Sequence, residues 1–186
     1  MASYFISHPE VVVDPSLPIE QWGLSPAGVQ RAELIVSRCW DQGVVQIASS
    51  TETKAIETAN VLAAAVGMPV LRVAALGEND RSATGFLPPA EFELVADEFF
   101  ANPDVRVRGW ESARHAQNRI VAAVQALTID PIRHTAIIAH GGVGTLLYCH
   151  LTGQPISRKY DQPGQGSWFE FDPSTWTAQH AWRRIT

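Results

Sequence analysis

Apolar and polar positions alternate along the chain between short apolar runs and longer stretches with helical spacing. The first run, Ser3–Ser7, predicts a strand, and Pro9 stops it just after His8. Residues 9–24 carry three prolines and an apolar patch, and read as a loop. Ser25-Pro26 supplies an N-cap followed by a first-turn proline. Val29, Ala32, Leu34, Ile35, Val36 and Cys39 then space a helical stripe to about Asp41, which Gly43 ends. Val44–Ser49 is nearly continuous in apolar residues, as in a strand buried on both faces. A helix over 51–66 closes at Gly67, and a third strand follows over 69–74. A charged, Gly- and Pro-rich loop spans 75–89. Helices are expected over 89–101 and 111–127, and a fourth buried strand over 135–139. After it come His140-Gly141-Gly142 and an apolar helix to Leu151. The tail predicts two strands, 166–171 and 177–182, joined by Asp172-Pro173-Ser174.

This alternation argues an α/β fold. The expected architecture is a three-layer α/β/α sandwich with a mainly parallel sheet and an antiparallel edge. With 186 residues and neither repeats nor linkers, the chain reads as a single domain over 1–186. The apolar fraction of 46% against 18% charged residues fits a folded core. A net charge of −5 offers no basic face, so neither nucleic acid nor an anionic membrane is expected as a partner. No stretch approaches a membrane span, Met1–Pro9 does not read as a signal peptide, and Cys39 and Cys149 read as buried free thiols. A cytoplasmic location follows as the expectation. A homodimer is left open.

In open α/β sheets, ligands bind beyond the carboxyl ends of the strands. Strand one delivers Ser7 and His8 there. Strand two delivers Ser49-Ser50, with Lys54 in the next helix's first turn, where the macrodipole makes a cation unfavourable unless a ligand answers it. Strand three leads to Glu78, and strand four to His140, Gly141 and Gly142. If these strands are neighbours, two histidines, a lysine and a carboxylate share one rim. Two helix N-termini, near Ser50–Thr51 and Gly141–Gly142, would add N–H donors for an anion. Each residue alone has an ordinary structural explanation. Together they suit phosphoryl transfer: an imidazole nucleophile, a second histidine stabilising charge, and a carboxyl group moving a proton. No CxxC, HxxxH or HExxH spacing occurs, so no metal site is expected.

The sequence resembles the histidine phosphatase (phosphoglycerate mutase-like) superfamily over nearly its whole length. IIAHGGVGTLLYCHLTG (137–153) is similar to that family's second-histidine strand, HGG turn and helix. LSPAGVQRAELI (24–35) resembles its LTPxGxxQA start, and IASSTETKAIETANVLA (47–63) its SSxLxRAxQTAxxLA segment. LGEND (76–80) resembles the LxE acid loop, and GWESARHAQNRI (109–120) the GES…R helix. FISHPE (5–10) falls where the family has RHGE. The resemblance implies a phosphatase that works through a phosphohistidine, with no metal and no cofactor. His8 would be the nucleophile, His140 the group contacting the phosphoryl oxygens, and Glu78 the proton donor. Ser7 and Lys54 would stand where two phosphate-clamping arginines are expected, and Gly141 would lie against the anion.

Those two replacements matter, because neither a hydroxyl nor an ammonium reproduces the bidentate guanidinium fork. Each lost charged hydrogen bond is worth about 1.5–3 kcal/mol. Two lost without replacement would slow the reaction roughly 10²–10⁴-fold. Arg81, in the ENDRS loop, is the candidate to compensate. Two readings follow: a working phosphatase with a rebuilt anion pocket, or an impaired member that binds phosphorylated ligands or a protein partner without turnover. A sugar-phosphate mutase is the weaker third. The expected partner is a small phosphate ester or a phosphorylated peptide. Val11–Val13, Trp22, Phe86, Leu87, Phe92, Phe99 and Phe100 would form an apolar lid suited to an aromatic leaving group, with Phe92 and Phe99 read first as core.

Overall fold

A computed structural model describes residues 2–40, 43–128 and 134–186, apart from the side chains of 38–40. The strands are β1 (Ser3–Ser7), β2 (Val44–Ser49), β3 (Val70–Arg72), β4 (His134–Ala139), β5 (Ser167–Asp172), β6 (Thr177–Ala178) and β7 (Arg183–Arg184). The helices are α1 (Pro26–Trp40), α2 (Thr53–Val66), α3 (Pro89–Ala101), α4 (Ala113–Leu127) and α5 (Gly141–Leu151). Among the described residues all strands join one sheet, in the order β3-β2-β4-β1-β5-β6, with β7 also on β5. β3, β2, β4 and β1 run parallel, and β5 turns antiparallel beside β1. This is the expected α/β sandwich, with the carboxyl ends of β2, β4 and β1 side by side.

The period of two along β1 explains the layers. Tyr4 and Ile6 pack on one face with α1 and α2, around Ile35, Ile47 and Leu62. Phe5 faces the other way, into the layer of α4 and α5, where Trp110, Ile120 and Leu146 are buried. Ser25 starts α1 as expected: its hydroxyl accepts from the Gly28 amide at 3.1 Å. Gly67 ends α2 in the left-handed conformation, φ 67°. Ser112 caps α4, so that helix begins two residues later than the expected start at 111.

Some elements differ from expectation, each for a local reason. β3 is only Val70–Arg72, because it pairs with Ile47–Ser49 alone at the sheet edge. The start of β2 is consequently open: Val45 is 49% exposed, and burial on both faces begins at Ile47. Of the last expected strand, 177–182, only β6 (Thr177–Ala178) forms; Gln179–Trp182 cross over to β7, which lies beyond the expected range. The loop 9–24 holds a short 3-10 turn, Ile19–Gln21, and a bridge between Val11 and Leu24. Cys149 is a buried free thiol, pushed up in pKa by burial. The end of α1 at Asp41 and the side chain of Cys39 lie outside the described residues. Among those residues no helix is long and apolar enough to cross a membrane.

The chain is pinned just after His8. Ser25 N–H donates to the Glu10 carbonyl at 2.9 Å, and the Glu10 carboxylate pairs with Arg31 and Arg184. A Cβ on Gly28 would sit 2.0 Å from that carbonyl oxygen, so α1 approaches it only as glycine. Gly28→Ala must push α1 off this segment, and a loss of about 1–3 kcal/mol is expected. Urea denaturation of the two proteins measures it.

Candidate active site

His8 leaves β1 with its amide still bonded to the Ala139 carbonyl of β4, at 3.0 Å. The neighbouring end of β4 delivers His140, and the two rings lie 5.2 Å apart, centroid to centroid, at 67°. His8 is 8% exposed. Its Nδ1 sits 2.8 Å from the Pro9 carbonyl oxygen, which can only accept. The proton is therefore on Nδ1, and Nε2 keeps its lone pair. Burial lowers the His8 pKa to about 4, the Lys54 charge adding to it, against the pull of the Pro9 carbonyl and of Glu52 and Glu78. Near neutral pH the ring is uncharged.

His140 is completely buried. Its Nε2 lies 2.7 Å from the Ser50 hydroxyl and 3.1 Å from Glu52 Oε1. A carboxylate only accepts, so this nitrogen carries the proton. Burial first, then the neighbouring His8, hold its pKa well below 6.5. Its Nδ1 is buried with no hydrogen-bond partner among the described residues.

Lys54, 4% exposed, does not stand free. Its ammonium donates to the Ile19 carbonyl at 2.8 Å and to Glu52 Oε2 at 2.5 Å. Glu52 therefore bridges Lys54 and His140, and its Oε1 also accepts from the Glu78 amide at 2.9 Å. Ser7 is engaged too. Its hydroxyl is shared with Gln162 Oε1 and with the Ser167 amide and carbonyl of β5. The Gln162 amide in turn lies against Gly141, where a Cβ would come within 2.1 Å of its Nε2.

The helix N-terminus expected near Gly141–Gly142 is present but occupied. The Glu78 carboxylate accepts from the Gly142 and Val143 amides at 3.0 and 2.9 Å. Burial and the nearby Glu52 carboxylate would raise its pKa; the Arg81 charge and the Gly142 amide override them, and the net shift is downward. Glu78 is thus an ionised group in the resting site. The other expected N-terminus begins later than anticipated, α2 starting at Thr53 with Glu52 at its N-cap. Arg81 remains available. Its guanidinium lies over Phe92 at 5.2 Å and Trp110 at 5.7 Å, with no hydrogen bond or ion pair among the described residues.

Two cavities meet at His8. One, about 360 Å³, is lined by His8, Glu78, Arg81, Gly141 and Gln162. The other, about 270 Å³, is lined by His8, Lys54, Arg81, Trp22, Phe86 and Phe92. Trp22 and Phe86 pack at 5.7 Å between ring centroids. Phe99 and Phe100 are core residues, whereas Phe92 is half-buried and reaches both cavities.

The structure thus brings together His8, His140, Glu78, Lys54, Arg81, Gly141 and Ser7. Sequence reading missed three further residues. Glu52 had a signal: it puts an acid where the SSxLxRA pattern has leucine. Arg119 lay inside the GES…R match unassigned; it ties down the acid loop by donating to the carbonyls of Ala75, Gly77 and Glu78 while paired with Glu111. Gln162 sits in an irregular loop and had no signal.

The chain belongs to the histidine phosphatase superfamily (branch 1), matching its family pattern over residues 20–182. His8 precedes that span; Lys54, Glu78 and His140 fall within it. No curated protein matches the chain in sequence. Among solved structures, a mycobacterial glucosyl-3-phosphoglycerate phosphatase superposes with a TM-score of 0.78 at 19% identity, covering 98% of this chain and 95% of that one. Bacillus stearothermophilus YhfR gives 0.78 at 22%, covering 97% and 94%. A phosphoserine phosphatase from Entamoeba histolytica gives 0.72 at 16%, covering 91% and 89%. At these identities the likeness is one of fold.

The buried, neutral His8 makes the fold acid-sensitive. Its folded pKa lies below its unfolded value, so on acidification the unfolded chain takes the proton first. The stability His8 contributes is full above pH 6.5 and is lost as the pH falls towards 4. This one group accounts for about 3 kcal/mol of that loss. Urea titrations at pH 7 and pH 4 should therefore show a smaller fall for His8→Asn than for wild type. An equal fall would mean that His8 is not the group being protonated.

Proposed function

We propose that the protein is a metal-independent phosphatase that hydrolyses phosphate monoesters through a phosphohistidine at His8. One observation carries this reading. Burial leaves His8 neutral, and the Nδ1–H···O=C bond to Pro9 holds its one proton on Nδ1, so Nε2 is unprotonated beside two cavities. That is the protonation state in-line attack on phosphorus requires. In the first step the Nε2 lone pair forms the N–P bond as the P–O ester bond breaks. In the second, water attacks the phosphohistidine and the imidazole leaves. His140 stabilises the equatorial oxygens, and Arg81 approaches from the rim in place of an arginine clamp.

The ionised Glu78 shapes the substrate preference. A carboxylate accepts a proton from water readily, so Glu78 acts as general base in the second step. It holds no proton for a basic leaving group in the first. Esters whose alcohol departs as a stable anion are accordingly favoured, and the aromatic cavity of Trp22 and Phe86 fits an aryl group. A second reading has a specific observation behind it: Glu52 neutralises Lys54, and Ser7 is bonded within the fold, as in a member that binds phosphorylated ligands or a protein partner without turnover.

A chelator-treated assay with a chromogenic aryl phosphate separates the two. Under the phosphatase reading, His8→Ala loses on the order of 10³-fold or more in kcat/KM, and His140→Ala loses heavily as well. Wild type no more active than His8→Ala would leave the binding reading. Trp22→Ala should raise KM for an aryl ester about tenfold with little change in kcat, since it removes roughly 1–3 kcal/mol of apolar contact. Equal KM values for the two proteins would take Trp22 out of the substrate site.

A further inference from the structure

We propose that Glu52 is the chain's own occupant of an oxyanion-binding pocket, and that external phosphate binds there only when this carboxylate leaves. The pocket is defined by the donors that converge on the carboxylate. The Lys54 ammonium donates to Oε2; His140 Nε2–H and the Glu78 backbone amide both lie within hydrogen-bond distance of Oε1. Lys54 and His140 are almost wholly buried, so neither serves bulk solvent. A cation, an imidazole N–H and a backbone N–H around a single two-oxygen acceptor form an anion site with its anion already in place.

The position of Glu52 in the chain makes this arrangement unusual. It is the N-cap residue of α2, with extended φ and ψ of −79° and 141°. An acid there ordinarily accepts from the first-turn amides. Glu52 makes no such bond; its side chain turns from the helix into the site. A second resting place for the carboxylate therefore lies next to the first, on the uncapped end of α2. Moving between them needs side-chain rotation and no rebuilding of the backbone.

Charge balance decides which anion can be present. Lys54 and Arg81 supply two positive charges, Glu52 and Glu78 two negative ones, and both histidines are neutral. A phosphate dianion added to that set would leave the buried cluster with an uncompensated double negative charge. If Glu52 rotates onto α2, phosphate inherits the Lys54 ammonium, the His140 N–H and the Glu78 amide, beside His8. The intrinsic affinity of the pocket is then reduced by the fraction of molecules in which Glu52 occupies it.

This inference rests on the phosphatase reading for the identity of the anion, and its test does not depend on turnover. Inorganic phosphate titrated calorimetrically at pH 7 into wild type and Glu52→Gln should give a Kd at least tenfold lower for the variant. Glu52→Ala, which also deletes the side chain's bulk, should show the same direction, and it serves as the test should Glu52→Gln fail to fold. An unchanged or weaker Kd in the folded variants would overturn the inference and make Glu52 a residue that merely positions Lys54 and His140. A tighter Kd in variants of a protein that hydrolyses no aryl phosphate would sink the phosphatase reading and leave the occupied pocket standing. Hydrolysis without any gain in affinity would do the reverse.

Discussion

The parallel ladder between β1 and β4 pairs Ser7 with Ala139, and the His8 amide prolongs it to the Ala139 carbonyl. That register sets the distance between the two histidines. Pro9 then ends the strand, so His8 cannot continue the sheet and its ring turns to the Pro9 carbonyl. From this one contact follow the tautomer of His8 and the identity of its basic nitrogen. β2, pairing on the far side of β4, adds Ser50 beneath His140 and brings Glu52 and Lys54 to the same rim. Slipping any of these ladders by one residue would invert the side chains and dissolve the site.

The pocket built on this frame is closely balanced in charge. Both acids are anchored by donors: Glu78 by the amides that open α5, Glu52 by Lys54, His140 and an amide of the acid loop. Arg119 holds the acid loop from behind, through the carbonyls of Ala75, Gly77 and Glu78. Arg81 faces the cavities with no hydrogen bond or ion-pair contact among the described residues; its charge acts on Glu78 across space, and its guanidinium lies over two aromatic rings. The cationic strength of this site is thus mostly spent internally.

Much of this was legible in the sequence. The strand ends carrying His8, His140 and Ser50 could be read because buried parallel strands leave unmistakable apolar runs, and because Gly67, Ser25 and Pro9 punctuate them. β3 and β6 are shorter than local patterning predicts, and β7 falls beyond the patterned run, since edge pairing depends on neighbours that local patterning does not encode. At the site, residue types were readable and their partners were not. Lys54 was visible as a cation out of place on a helix dipole; that its counter-charge lay two residues earlier in the chain emerged only from the direction of the Glu52 side chain. Gln162 reaches Ser7 across 155 positions and could be found only by folding the chain.

The Ser7–Gln162 contact has a consequence for how this site can change over generations. Ser7 is completely buried, its hydroxyl shared with β5, and the glutamine covering it packs against Gly141 with no space for a Cβ. A guanidinium introduced at position 7 would need the volume that Gln162 fills, whereas a smaller residue at 162 would still leave the buried Ser7 hydroxyl the Ser167 carbonyl, at 3.1 Å, as acceptor. The two changes are therefore coupled: an arginine at position 7 is accommodated only where residue 162 is also reduced, while the smaller residue at 162 costs little on its own. The order in which these two positions can change is thereby fixed, with position 162 first.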